Sequence, residues 1–114
     1  MPLSIVVLIR EDPRKTYRPA EGLRIALGLS TGTNPITIIL TEWGPYLLTE
    51  EASETVGGEL LEKHLPVIQE LKIPILIPEG SLAKFSIDPG FSVLESSPTQ
   101  MAALVRKADR VLAF

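Results

Sequence analysis

Three carboxylates, Asp12, Glu42 and Glu79, each stand a few residues beyond an apolar run, and Thr41, Trp43 and Ser81 lie beside them. Residues of these types could do acid–base work if burial held two carboxyl groups at different pKa values, with the indole as a stacking face for a ligand. The plainer roles are solvated loop carboxylates and, for the serines, helix capping. The only histidine, His64, falls in a helix-patterned segment, so a Ser-His-Asp arrangement has no base near these residues. The chain has no cysteine, which excludes disulfides and thiolate chemistry. A zinc site would have to be built from carboxylates around His64, an uncommon ligand set, so the residues assign no metal and no cofactor.

The elements that must position these side chains follow from hydrophobic periodicity. Leu3 to Ile9 reads as a first strand, apolar throughout and so covered on both faces. A helix starting near Pro19 carries Ala20, Leu23, Ala26 and Leu27 inward and fades at the glycines and hydroxyls of positions 28–32. Pro35 to Leu40 is a second strand. Trp43 to Thr49 reads as a short turn or helix, and Glu50 to Gly58 as an acidic, flexible loop. Glu59 to Leu71 places Leu61, Leu65, Ile68 and Leu71 on one helical face, with Pro66 expected to kink or restart it. Ile73 to Ile77 and Phe91 to Glu95 are the third and fourth strands.

The last nineteen residues are the clearest. Ser97 is an N-cap, Pro98 suits the first helical position, and Gln100 completes a capping box. Met101, Leu104, Val105 and Ala108 then form an apolar stripe, and Val111 to Phe114 reads as a final strand buried on both faces. Strands alternating with helices imply right-handed crossovers. The expected fold is a single α/β domain over residues 1–114, a three-layer α/β/α sandwich around a five-stranded, mainly parallel sheet. Ligands of such sheets bind at the carboxyl ends of the strands, which makes Asp12, Thr41, Glu42, Trp43, Glu79 and Ser81 the candidate rim.

Composition removes several classes. A chain of 114 residues, 45% apolar, suits one globular core. Its net charge of −3, and a basic cluster (Arg10, Arg14, Lys15, Arg18) interrupted by Glu11 and Asp12, give no reason to expect nucleic acid or an anionic membrane as partner. Leu3 to Ile9 has no basic leader and is too short to span a bilayer, so a cytoplasmic protein is expected. A phosphate-binding glycine loop is missing after the first strand, where Glu11, Asp12 and Pro13 stand. A phosphoacceptor site fails at Ile77 and Pro78, where an aspartate would be required.

The order of elements, the ending Ala108 to Phe114 (ADRVLAF) and the segment Ser81 to Lys84 (SLAK) resemble the DsrE/DsrF-like family, which includes the TusC and TusD sulfur-relay subunits. The resemblance spans nearly the whole chain and implies a DsrEFH-like sandwich that assembles into trimers or hexamers. In sulfur-carrying members a cysteine follows the third strand and accepts a persulfide. The matching positions here are Ile77 and Pro78, which cannot hold sulfane sulfur. The expectation is therefore a non-catalytic subunit linked to sulfur trafficking, either homo-oligomeric or paired with a cysteine-bearing relative. The alternative is a small-ligand binder or enzyme that uses the rim.

Overall fold

The computed structural model describes residues 2–114 and contains a five-stranded sheet in the order β4-β3-β2-β1-β5. The strands are β1 (Ile5–Ile9), β2 (Ile36–Leu40), β3 (Ile75–Pro78), β4 (Val93–Ser96) and β5 (Arg110–Ala113). Every pairing is parallel, so the sheet is wholly rather than mainly parallel. The helices are α1 (Arg18–Leu29), α2 (Gly58–Leu71), the single turn α3 (Ser81–Lys84) and α4 (Pro98–Lys107). Strands β1 to β4 march in one direction across the sheet, and the chain then returns past β1 to lay down β5.

That reversal decides which face each helix covers. Ile5, Val7 and Ile9 of β1 with Ile36, Ile38 and Leu40 of β2 form one core with Ala20, Leu23 and Ala26 of α1 and Leu61 and Ile68 of α2. The alternate residues Val6 and Ile39 pack with Met101, and Leu8, Leu76, Leu104 and Val105 lean on them, so α4 covers the other face. The stripe read from the sequence of α4 is the stripe that packs. Its capping box also forms: the Ser97 hydroxyl accepts from the Gln100 backbone N–H at 3.1 Å, and Gln100 Oε1 accepts from the Ser97 N–H at 2.8 Å.

Four expectations are corrected. The segment Glu50 to Gly58 is not a flexible loop throughout, because Glu50–Glu54 is a 3-10 helix following another at Gly44–Leu48. Buried Ala52 pins it to the core, and the Thr49 and Thr55 hydroxyls donate back to the carbonyls of Tyr46 and Ala52 at 2.8 and 2.6 Å. Pro66 does not restart the helix, and α2 runs through it as one element. A proline removes a single N–H from the ladder, and buried Leu61 and Ile68 on either side hold the helix in place. The third and fourth strands lie later than expected, so Pro78 and Ser96 are strand residues, paired in register with each other.

The fourth correction concerns the end of the chain. β5 is a strand, as its apolar run implies, but all four of its residues are exposed. Its register against β1 puts Val111 on the α4 face and Leu112 on the α1 face, and they are 38% and 37% accessible. An edge strand next to β1 is covered only in part, by the start of α1, where Arg18 Nη2 donates to the Ala113 carbonyl at 3.2 Å. Leu94, on the opposite edge strand, is 65% accessible for the same reason, since one ten-residue helix cannot cover a five-stranded face.

Candidate functional site

The carboxyl ends of β1, β2 and β3 bring three loops together around Trp43. The chain leaves β2 through Thr41, whose backbone N–H donates to the Ile9 carbonyl at 3.2 Å and extends the pairing with β1 by one residue. Glu42 follows in the left-handed region at φ 50, uncommon for a residue with a side chain. Strain of this kind concentrates at functional turns. Trp43 then opens the first 3-10 helix.

Two cations converge on that indole. Arg14, from the loop after β1, places its guanidinium carbon 3.8 Å from the centre of the Trp43 ring. Lys84, the last residue of α3, places its Nζ at 4.5 Å from the same ring and 5.4 Å from the Phe85 ring. Tyr46 and Phe85 meet Trp43 edge-to-face, with ring centres 6.5 and 5.4 Å away. Such contacts draw on the negative face of the indole and on the quadrupoles of the rings. Trp43, Tyr46, Phe85 and Lys84 line a shallow depression of about 300 Å³, shared with Thr49, Glu51 and Ser86.

Arg14 is held by Asp12. Its Nε and Nη2 donate to the two carboxylate oxygens at 3.0 and 2.7 Å, and its backbone N–H donates to Oδ1 at 2.9 Å. The guanidinium hydrogen bonds lower the Asp12 pKa from the ordinary carboxylate range to about 2. Its neighbour Glu11 is paired instead with Arg18, at 2.6 Å. Two members of the interrupted basic cluster, Arg14 and Arg18, are thus in local ion pairs, and each faces an aromatic ring, Arg14 that of Trp43 and Arg18 that of Phe114 at 5.8 Å.

The other candidate rim residues are placed differently. Glu42 is exposed and makes no hydrogen bond among the described residues. Glu79 is exposed as well, its backbone N–H bonded to the Ser96 carbonyl at 3.2 Å. Ser81 is buried, and its hydroxyl donates to the Pro78 carbonyl at 2.6 Å, tying α3 to the end of β3. So Asp12, Thr41 and Trp43 gather at the ends of β1 and β2, whereas Ser81 is engaged with backbone. Ile77 is fully buried and Pro78 half-buried, each a structural member of β3. His64 is half-buried on α2 away from the rim, and its buried Nδ1 has no hydrogen-bond partner among the described residues.

Sequence reading missed Arg14, Tyr46, Lys84 and Phe85 as parts of one cluster. Arg14 was visible only within a loop of mixed charge, and Lys84 only as the basic end of the segment Ser81 to Lys84. Glu95 was also missed: its carboxylate accepts the Leu82 backbone N–H at 2.8 Å and so satisfies a free donor at the start of α3.

Neither a protein-family model nor a protein of curated function matches this chain. Among solved structures, the chain is similar to the crystal structure of the YchN protein from E. coli, with a TM-score of 0.77 across 100% of both chains at 18% sequence identity. That likeness shows the fold, which is DsrE-like.

Proposed function

We propose that this protein is a cysteine-free DsrE/DsrF-like subunit that works by assembling with copies of itself, in a process linked to sulfur trafficking. The observation that carries the reading is β5, a strand whose sequence is that of a buried element and whose residues are all exposed in the single chain. An apolar edge strand left open invites contact with a second copy, and a head-to-tail contact with a different surface of that copy closes into a ring. Exposed Leu94 on the far edge provides apolar surface for a further contact.

The non-catalytic part of the proposal rests on β3. Of the two positions matching the family's cysteine, one is packed at 0% exposure and the other is a proline. The DsrE-like fold and the ending ADRVLAF support placing the chain beside sulfur-relay subunits. Genes for sulfur relay next to its own would add to that support.

Native mass spectrometry and light scattering test the assembly. A trimer or hexamer is expected, and the double variant Val111→Lys, Leu112→Glu should lower the mass while the circular dichroism spectrum is kept. A hetero-oligomer with a cysteine-bearing relative would replace the homo-oligomer in the proposal. A strictly monomeric protein that co-purifies with no relative would overturn it.

A further inference from the structure

We infer that the Trp43 cluster is a binding site for a small organic molecule carrying one oxyanion group, a carboxylate or a phosphate monoester, on an apolar body. Arg14 and Lys84 both pack on the indole, from the loops after β1 and β3, and Lys84 is the one that lines the depression. Among the described residues the Lys84 ammonium has no carboxylate within ion-pair distance, so its three N–H donors remain open. Arg14 does not line the depression and is already paired with Asp12, so the Lys84 ammonium is the donor that an oxyanion there meets.

The walls set the rest of the ligand. Trp43, Tyr46 and Phe85 supply an aromatic surface beside Lys84, and the depression of about 300 Å³ lies at the small end of ligand sites, suited to a single ring or a short chain. Glu51 lines the same depression, so a second anionic group on the ligand would meet a like charge. The site lies at the carboxyl ends of the strands, on the side of the molecule where such sheets take their ligands.

Trp43 is the only tryptophan, so its fluorescence reads the site directly. The probes are benzoate and phenyl phosphate, with benzyl alcohol as the neutral analogue and terephthalate as the doubly charged one. Saturable changes are expected with the first two at millimolar concentrations, and binding weaker by about tenfold with benzyl alcohol, which loses the charge-assisted bonds. Lys84→Gln should weaken benzoate by about tenfold, Lys84→Arg should restore most of it, and Lys63→Gln on α2 should change nothing. Terephthalate should bind more weakly than benzoate, and Glu51→Gln should narrow that difference. Altered side chains can change the indole emission by themselves, so calorimetric titration of each variant gives the affinities independently. Equal binding of benzyl alcohol and benzoate, an unchanged affinity in Lys84→Gln, or no saturable binding of either anion would overturn the inference. Light scattering of the same samples reports separately on assembly.

Discussion

At the scale of single residues, Asp12 holds the Arg14 guanidinium that stacks on Trp43. The folded pKa of Asp12, about 2, lies below the unfolded value of about 3.9. Its contribution to stability is therefore complete above about pH 4 and is lost as the pH falls through 2. The pair is solvent-accessible, so the contribution stays under about 1 kcal/mol. A carbon-detected NMR titration should find the Asp12 carboxyl titrating near 2, and Arg14→Gln should return it toward about 3.9. The β3 positions allow a second check, because the protein has no cysteine to give background. Ile77→Cys should resist thiol reagents in the folded state, since the site is fully buried, while Pro78→Cys should be modified faster. Equal reactivity would mean that the end of β3 opens in solution. That Trp43 belongs to a candidate rim was legible in its place after an apolar run. That Arg14 and Lys84 meet it was not, because the three residues are far apart in the chain and only the parallel order of β1, β2 and β3 brings their loops together.

At the scale of elements, two glycines separate local propensity from tertiary constraint. A Cβ at Gly28, near the end of α1, would meet nothing within 4 Å, so Gly28→Ala should raise stability by about 0.5–1 kcal/mol through helix propensity alone. A Cβ at Gly58, the first residue of α2, would lie 2.0 Å from the Ser53 carbonyl oxygen. Gly58→Ala should therefore cost about 2 kcal/mol or more, since backbone must move to admit it. Urea denaturation of the two variants reads both effects, and a loss at Gly28 would show that α1 is held by something other than its own ladder. Ser97→Ala removes the cap of α4 and should cost about 1 kcal/mol in the same assay. The cap, the stripe of α4 and the alternation of strand and helix were all readable in the chain because each is a local pattern. The 3-10 helix at Glu50–Glu54 was not, since its acidic composition resembles a loop, and the burial of Ala52 with the Thr49 and Thr55 hydroxyl bonds holds it.

At the scale of the whole molecule, the uneven cover of the sheet makes a prediction about assembly. If copies pair through β5, the thermal midpoint should rise with protein concentration. The Val111→Lys, Leu112→Glu variant should lose that dependence. A midpoint independent of concentration in the parent protein would count against assembly. The sequence by itself determined the α/β class, the number of strands, the apolar face of α4 and the lack of any thiol, because periodicity and composition are properties of neighbouring residues; the face read for α2 was right at Leu61 and Ile68 and wrong at Leu71, which is 52% exposed at the helix end. Tertiary structure decided the rest. Strand order set β5 at an edge, where a run that reads as buried leaves Val111 and Leu112 more than a third accessible. The same order drew a guanidinium, an ammonium and an indole from three loops into one cluster. Neither outcome is encoded in a stretch of chain, since burial at an edge and contact across loops depend on which strands stand side by side.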